Sequence, residues 1–367
     1  MNDAPLLPLA AAPPVAAPHT YAARSVSTVM AWVMAALTPA TVYGFWLYGW
    51  PALYLWLITI GCAVGGEAFC LRLMGRRPGP ILRDGSAVLT GWLLAVSLPP
   101  WAPWWIGAFG GAFAAIFGKQ VFGGLGQNPF NPAMVARVAL LISFPVAMTS
   151  WVAPLPLGSA AAPGVLQSLA ITFKGIPTDF DGVASASLLG YSKTEMTRGI
   201  DLLHSLAHAG APGVAWGGFR PGSLGETAAL LVAAGGALLL WLRIISWHTP
   251  AAMLAGIALP AAIGHALNPG QYLDATTHLL AGGALLGAFF IATDYVTSPN
   301  TPAGQLIFGF GVGLLTWVIR TWGGYPEGVA FAVMLMNVMT PVIDRYVKPR
   351  AFGRDRRGRP IAARRVN

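Results

Sequence analysis

A short polar segment between two apolar regions of the chain holds the most reactive candidate side chains. It runs from Asp181 to Leu189 and includes Gly182, Ser185 and Ser187 among other small residues. Small residues let another molecule approach closely, and a serine hydroxyl can accept a phosphoester. The alternative is a polar turn whose hydroxyl groups contact only solvent. Residue types alone leave both interpretations open.

Two carboxylates stand in apolar surroundings. Glu67 lies well inside one long apolar stretch, and Asp294 lies at the end of another. A carboxylate at membrane depth is energetically costly, so it marks an ion or proton path or pairs with a neighbouring charge. Both residues are therefore candidates for an ion path. The alternative is a structural ion pair, for example of Asp294 with Lys119 or Arg137.

Two Asn-Pro pairs separate apolar stretches in the segment from Gln127 to Pro132. The residue before a proline disfavours the α conformation, so Asn128 and Asn131 are expected to interrupt the helix. Backbone groups freed in this way could bind the polar atoms of a ligand. A plain turn would have the same sequence, and this alternative stays open.

The other ionisable residues carry weaker signals. His204 and His208 are spaced to share a zinc ion, but no nearby side chain completes a ligand set, so no metal site is expected. His265 fits a hydrogen-bonded core histidine better than a proton carrier. Glu226 and Glu327 flank the ends of apolar stretches, where helix capping accounts for them.

Cysteine usage excludes several redox cofactors. Cys62 and Cys70 would lie about 12 Å apart along one helix, which is too far for a disulfide. The sequence has no CxxC or CxxCH motif, so an iron–sulfur cluster or c-type haem held by this chain is not expected. It also lacks a GxGxxG dinucleotide fingerprint. Electron transfer would therefore depend on an organic cofactor.

Composition places these residues in a membrane protein. The chain has 367 residues, of which 55% are hydrophobic and 10% charged, and its mean hydropathy is +0.62. Soluble domains carry about 25% charged residues. The net charge is +9, but nine of the 22 basic residues lie between Arg345 and Arg365. That placement predicts a tail on anionic lipid rather than a nucleic-acid partner.

Hydropathy predicts an all-α polytopic membrane protein with about ten transmembrane helices. A span needs roughly 20 apolar residues. The spans 87–99 and 275–293 end in Pro- or Ser-rich residues and are expected to be broken or partly re-entrant. The predicted spans are 27–47, 51–73, 87–99, 102–118, 133–150, 224–245, 250–267, 275–293, 304–321 and 325–343.

Basic residues predict the orientation. Most of those in short loops, such as Arg76 and Arg243, fall on the same side as the basic tail, and this side is expected to be cytoplasmic in a bacterial inner membrane. Both termini would then be cytoplasmic. The predicted regions are a flexible N-terminus (1–24), a first membrane repeat (25–150), a periplasmic segment (151–223), a second membrane repeat (224–345) and a basic tail (346–367).

The two halves resemble each other at an offset of about 200 residues. Trp50-Pro51 corresponds to Thr249-Pro250, and paired glycines at 123–124 correspond to those at 323–324. Five spans per half would insert the second repeat in the inverted orientation. Inverted repeats with interrupted helices commonly place a binding site at their interface. Chance matches in a biased composition are the alternative.

Several longer motifs give the chain a family resemblance. The motifs are LTG at 89–91, SLPPW at 97–101, FGGLGQNPFNPA at 122–133, GSLGET at 222–227, ATDYVTSP at 292–299 and GGYPEGV at 323–329. Through them, from about residue 20 to 350, the chain resembles the RnfD/NqrB family, membrane subunits of the Rnf electron-transport complex and of the sodium-pumping NADH:quinone oxidoreductase.

The resemblance implies two flavins. In the family, a flavin transferase attaches FMN through a phosphodiester to the threonine of a D-G-x-S-G-A-T-like motif. Aligned on this chain, the motif begins at Asp181 and Gly182 and its acceptor is Ser187, with Ser185 as the second candidate; Ala184, Ser185 and Ser187 replace the family's Ser, Gly and Thr. The family also implies a non-covalent riboflavin, for which the region of Gln127, Asn128 and Asn131 is the candidate contact.

The resulting hypothesis is a flavin-carrying membrane component of an ion-translocating oxidoreductase complex. Electron transfer from NADH or ferredoxin would be coupled to Na⁺ or H⁺ movement, with Glu67 and Asp294 on the ion path. The chain would need the other subunits of the Rnf complex, because it has no expected catalytic residue of its own. The alternative is an inverted-repeat solute channel or secondary transporter without redox activity, since a shared fold does not fix function.

Overall fold

The computed structural model describes residues 24–176, 183–185, 187–198, 219 and 221–349. Helices dominate these residues, and their strands are limited to a short antiparallel pair, β1 (Trp151–Val152) and β2 (Val183–Ser185). The first-half helices are α1 (Val26–Tyr48), α2 (Trp50–Leu73), α3 (Pro78–Leu82), α4 (Ser86–Ser97), α5 (Trp104–Ile116), α6 (Pro132–Ser143) and α7 (Pro145–Thr149), with a 3₁₀ turn at Gln120–Phe122.

The remaining helices follow the region predicted to be periplasmic or lie within it. Two of them, α8 (Val165–Lys174) and α9 (Leu188–Thr197), precede the second half. The second-half helices are α10 (Leu224–Thr227), α11 (Ala229–Trp241), α12 (His248–Leu267), α13 (Ala275–Leu280), α14 (Ala284–Leu286, continued by a π turn at Gly287–Ile291), α15 (Pro302–Trp322) and α16 (Val329–Tyr346).

Six helical segments of the described chain are long and apolar enough to cross a membrane. They comprise α1, α2, α5 with the turn that follows it, α12, α15 and α16. Shorter apolar helices at Ser86–Ser97, Pro132–Ser143 and Ala229–Trp241 match further predicted spans. The prediction of an all-α polytopic membrane protein is confirmed.

Two predicted spans are interrupted, although their hydropathy is continuous. The span 133–150 breaks at Phe144, because Pro145 cannot donate a backbone hydrogen bond to the preceding turn. The span 224–245 breaks at Ala228, which separates α10 from α11. Each break leaves a short helix beside a longer one.

Matching glycines bring the corresponding helices of the two halves into close contact. On α5, a Cβ atom at Gly111 would lie 2.2 Å from the carbonyl oxygen of Thr59 on α2. On α15, a Cβ atom at Gly313 would lie 2.2 Å from the carbonyl oxygen of Met253 on α12. Only glycine permits either contact, as is common where membrane helices cross. The same helix pairing in both halves supports the predicted internal repeat.

The span predicted at 275–293 is a broken helix, as expected. α13 ends at Leu280, and Gly282 has a φ of 65° before α14 begins. The guanidinium of Arg320 on α15 donates to the carbonyls of His278 (2.5 Å) and Ala281 (3.0 Å). Irregular backbone at membrane depth requires such partners, and this arginine supplies them.

Helices α6 and α16 cross antiparallel between the halves, with a polar contact at each end. Arg137 in α6 pairs with Glu327, just before α16. Asn337 in α16 accepts a hydrogen bond from the backbone N–H of Asn131, just before α6, at 3.2 Å. The chain passes repeatedly between these two ends, which we call the Ser187 end, containing Glu327, and the Asp294 end, containing Asn131.

Candidate functional site

The β1–β2 pair and α9 fix Ser187 at the Ser187 end. Trp151 on β1 pairs with Ser185 on β2, and α9 begins directly after Ser187. The Ser187 Oγ accepts a hydrogen bond from the backbone N–H of Gly190 at 3.3 Å, which is the geometry of a helix N-cap. The residue is only 5% exposed. A strand and a helix therefore hold this hydroxyl in one place.

Ser187 lines a cavity of about 760 Å³. Binding sites for small molecules and cofactors occupy about 300–1,000 Å³. Three aromatic side chains share the wall with the serine: Trp151, Tyr272 and Trp322. The last two form an edge-to-face pair with ring centroids 6.3 Å apart. The cavity therefore offers flat apolar surface beside a hydroxyl group.

Two buried polar side chains complete the wall of this cavity. His278 is 3% exposed, and within the described residues its Nδ1 has no hydrogen-bond partner. Arg320, 5% exposed, lines the same cavity. Buried polar atoms in proteins are nearly always hydrogen-bonded, so a ligand with polar ring atoms would satisfy this imidazole.

Lys193 ties α9 to the C-terminal end of α15. Its ammonium group donates to the carbonyls of Arg320 (3.2 Å), Ile319 and Tyr325 (both 3.4 Å), and to that of Gly323. Burial lowers the pKa of Lys193 below its usual value. Cations are favourable at a helix C-terminus, where free carbonyls concentrate negative charge. This contact keeps Ser187 against the cavity.

Several predicted residues lie outside the described residues or are described only in part. Asp181 and Gly182 of the attachment motif lie outside, as do His204 and His208. Of Ser185, the second candidate acceptor, only the backbone is described, in its pairing with Trp151. The roles of these residues stay predictions.

At the Asp294 end, the structure corrects the proposed partners of Asp294. Its carboxylate accepts hydrogen bonds from the backbone N–H of Val296 (3.2 Å), the hydroxyl of Thr297 (3.3 Å) and the amide of Asn131 (3.4 Å). No cation forms a salt bridge with it in the described chain. The suggested pairing with Lys119 or Arg137 is wrong, because each of those residues pairs with a glutamate.

Of the three residues predicted to contact riboflavin, two line a cavity and one lies at the surface. Asn128 and Asn131 are buried and line a cavity together with Asp294, whereas Gln127 is exposed. Asn131 also caps α6 by accepting from the N–H groups of Ala133 and Met134. The cavity measures about 100 Å³, below the roughly 300–1,000 Å³ of ligand pockets. It does not fit a three-ring flavin as it stands.

Glu67 is the centre of a buried polar cluster. It is 1% exposed, and its oxygens accept from the Lys119 ammonium at 2.8 and 2.7 Å. The amide of Gln120 donates to it at 2.8 Å, and Lys119 also donates to Ser86 at 2.6 Å. An ion pair of this kind compensates the cost of burying both charges. A structural role for Glu67 is thus visible, and its place on an ion path stays a prediction.

A buried carboxylate at the Ser187 end corrects the capping interpretation of Glu327. Glu226 lies in the first turn of α10, as that interpretation expects. Glu327 accepts from the backbone N–H of Gly283 at 3.0 Å and pairs with Arg137, so it caps a different helix from its own. Glu226 accepts a hydrogen bond from the hydroxyl of Ser223 at 2.9 Å. The sequence signal for the pairing of Glu327 was Arg137, because an arginine within a predicted span requires a buried partner.

Two smaller predictions are confirmed. The Nδ1 of His265, which is half-buried, lies 2.8 Å from the carbonyl oxygen of Tyr272, as expected for a hydrogen-bonded histidine. Cys62 and Cys70 are free thiols, with no disulfide between them.

Sequence comparisons place this architecture in a known family. The profile of the NQR2, RnfD, RnfE family matches residues 15–353. The chain is 54% identical over 348 residues to an ion-translocating oxidoreductase complex subunit of Halorhodospira halophila, an alignment that covers 95% of this chain and 97% of the relative. The subunit of the same name from Stutzerimonas stutzeri is 53% identical over 339 residues, covering 92% and 95% of the two chains. That of Vibrio cholerae is 43% identical over 349 residues, covering 92% and 97%. The chain therefore belongs to the NQR2, RnfD, RnfE family.

Proposed function

We propose that this chain is a membrane component of an ion-translocating oxidoreductase complex and carries FMN covalently on Ser187. The observation that carries the proposal is the position of the Ser187 hydroxyl, which lines an aromatic-walled cavity of about 760 Å³. The names of the relatives, which all describe the same component of such a complex, support the assignment to a complex. Other subunits are then its partners, and a flavin transferase matures it.

The hydrogen bond of Ser187 is compatible with esterification. The N–H of Gly190 donates to a lone pair of Oγ, and the hydroxyl proton takes no part in that contact. A phosphoryl group can replace this proton while the oxygen continues to cap α9. Serine supplies the same nucleophilic oxygen as the threonine of the family motif.

The cavity residues would hold and orient the flavin ring. FMN, when bound, supplies one-electron and two-electron transfer chemistry that no side chain provides. Trp151, Tyr272 and Trp322 offer aromatic surfaces for packing against a planar ring. His278 and Arg320 would give polar and charged contacts to ring heteroatoms.

We further propose that the Ser187 end faces the periplasm of a bacterial inner membrane and that both termini are cytoplasmic. Arg76, Arg77, Arg83 and Arg243 follow or precede helices at the Asp294 end, as the positive-inside rule requires of the cytoplasmic side. The coupled ion, Na⁺ or H⁺, would pass near Asp294. Riboflavin binding near Asn128 and Asn131 stays a prediction, and we assign it no step.

Covalent fluorescence tests the flavin proposal. The chain is co-expressed with a flavin transferase and its complex partners, denatured, separated on a gel and viewed under ultraviolet light. We expect a fluorescent band that Ser187→Ala abolishes completely and Ser187→Thr retains. Ser192→Ala is the matched control, because Ser192 is another buried serine lining the same cavity; its band should persist. Mass spectrometry of the peptide should show FMN on Ser187.

Two results would contradict this proposal. Fluorescence that survives Ser187→Ala but disappears in Ser185→Ala would move the acceptor to Ser185. A parent chain without any covalent flavin would favour a channel or transporter without redox activity.

Asp294→Asn tests the ion path. The amide oxygen of asparagine can keep some of the hydrogen bonds that the carboxylate accepts, so folding should change little. The loss of negative charge should slow ion uptake by the reconstituted complex about tenfold or more, which corresponds to at least about 1.4 kcal/mol of lost stabilisation for a cation. Ion uptake into proteoliposomes measures this rate. An unchanged rate would remove Asp294 from the path.

A further inference from the structure

A cavity of about 610 Å³ lies where α11 ends and α12 begins, at the Asp294 end. It shares part of its wall with the small cavity beside Asp294 but is distinct from it. Arg243 is the one charged residue among the described residues that line it, and the other polar residues of its wall carry hydroxyl, amide or indole groups. The cavity is therefore electropositive and has no carboxylate in its wall.

The backbone of Arg243 adopts a conformation that favours glycine. Its φ is 52°, and no other non-glycine residue of the described chain has a positive φ. The N–H groups of Arg243 and Ile244 donate to carbonyl groups in the last turn of α11, at 2.9 Å each, which is the Schellman arrangement of a helix C-terminus. Helix α2 ends in the same arrangement with Gly75, whose φ is 69°, at the corresponding position. An arginine thus stands where glycine would be less strained.

The side chain of Arg243 gains no contact that offsets this strain. It is exposed, and it forms no ion pair or hydrogen bond with the residues that the structure describes. Strained residues of this kind cluster at ligand sites. The guanidinium lines the cavity and is free to contact a ligand there.

Thr249 is a second group without a partner. It is 2% exposed and lines the cavity, and its hydroxyl has no hydrogen-bond partner in the described part of the chain. It lies in the first turn of α12, a helix of 20 residues that no side chain caps. The N–H groups that begin a helix have no partner within it and attract anions. A buried hydroxyl and uncapped N–H groups therefore adjoin the cavity that Arg243 lines.

The hydrogen-bond acceptors nearest to this cavity already have donors. Arg24 donates to the carbonyl of Leu242 at 2.6 Å, and the hydroxyl of Tyr295 donates to the carbonyl of Ile244. The carboxylate of Asp294 accepts from its three donors described above and does not line this cavity. These contacts leave mainly donors free, and Arg24 adds a second positive charge close by. The combination suits an anion.

We propose that this cavity binds the phosphodiester of an anionic phospholipid headgroup. Arg243 makes charge-assisted hydrogen bonds to the phosphate oxygens, and Thr249 and the first N–H groups of α12 are further donors. The surroundings favour a lipid over a soluble phosphate, because Trp241 and Trp247 are 80% and 59% exposed and exposed tryptophans are typical of the headgroup level of a membrane. The inference goes beyond the proposed function and does not rest on the flavin.

Native mass spectrometry of the delipidated complex, titrated with phosphatidylglycerol, tests this proposal. Arg243→Gly should weaken the tightest binding event about tenfold or more, because charge-assisted hydrogen bonds are lost. Its melting temperature without lipid should stay equal or rise, because glycine suits a positive φ. Thr249→Val should also weaken binding, whereas Thr249→Ser keeps the hydroxyl and should retain it. Arg76→Ala is the matched control, because Arg76 is an exposed arginine at the same end that does not line the cavity; its affinity should equal that of the parent.

Four results would overturn the proposal. Equal affinities of the parent and Arg243→Gly would remove the guanidinium from the site. Phosphatidylcholine that binds as tightly as phosphatidylglycerol would show that the cavity does not select a net negative charge. Displacement of the lipid by millimolar inorganic phosphate would assign the cavity to a soluble phosphate. A melting temperature of lipid-free Arg243→Gly well below that of the parent would show that the arginine serves the fold and not a ligand.

Discussion

Replacing Lys119 by methionine is expected to lower the free energy of unfolding by about 3–5 kcal/mol, the range for breaking a buried ion pair from one side. Lys119 and Glu67 are each 1% exposed, and the ammonium contacts both carboxylate oxygens. Methionine fills similar space but leaves the Glu67 charge without its cation. The polar contact from Gln120 offsets only part of that cost. Thermal or denaturant unfolding in detergent micelles measures the loss.

A double variant separates the charge from the packing. Glu67→Gln combined with Lys119→Met removes both charges and should recover much of the stability, because a neutral amide is less costly to bury. Lys348→Met, at an exposed lysine, should stay within about 0.5 kcal/mol of the parent. Equal losses in the single and double variants would show that lost packing, and not the unpaired charge, causes the destabilisation.

The second large effect is expected at Gly313, where even alanine should cost about 3 kcal/mol or more, the upper end for an overpacked contact. Its Cβ atom would meet the carbonyl oxygen of Met253 at 2.2 Å. The obstacle is the backbone of α12, which cannot move aside by changing a rotamer. The two helices must therefore separate, and the packing along their contact is lost.

A matched glycine gives the control for this prediction. Gly65→Ala in α2 places its Cβ in open space and should be neutral or stabilising by up to about 1 kcal/mol, as alanine favours helix over glycine. Gly111→Ala, at the corresponding contact of the first half, should match Gly313→Ala. Yield of folded protein and melting temperature in detergent report both effects. A Gly313→Ala protein as stable as the parent would contradict the close helix contact.

The presence and position of the long helices could be predicted from the sequence, because a long apolar stretch in a bilayer has few alternatives to a helix. The predicted 27–47 and 304–321 correspond to helices Val26–Tyr48 and Pro302–Trp322. The break in 275–293 was also foreseen, from its Ser- and Pro-rich end. The same reasoning expected a broken or partly re-entrant span at 87–99, where α4 is a continuous helix from Ser86 to Ser97. Breaks at Phe144 and Ala228 were missed, since the hydropathy of these spans continues across them.

The sequence alone could not predict which buried polar side chains pair with each other. Lys119 and Arg137 are both candidates for any buried carboxylate, and only the three-dimensional packing assigns them to Glu67 and Glu327. The same limit applied to Glu327, whose place at a helix end was consistent with a cap but whose carboxylate contacts Arg137 and Gly283. Ser187 could be singled out only by a family motif, because a buried, capping serine looks like any other in the sequence.

The antiparallel crossing of α6 and α16 constrains how the protein can move. The ion pair of Arg137 with Glu327 and the contact between Asn131 and Asn337 join the two helices at two points. If one helix slid or rocked against the other, these contacts would break and leave a charge or an amide without a partner where no water can replace it. We therefore expect α6 and α16 to keep their relative position during turnover. Any conformational change would then take place in the helices around them.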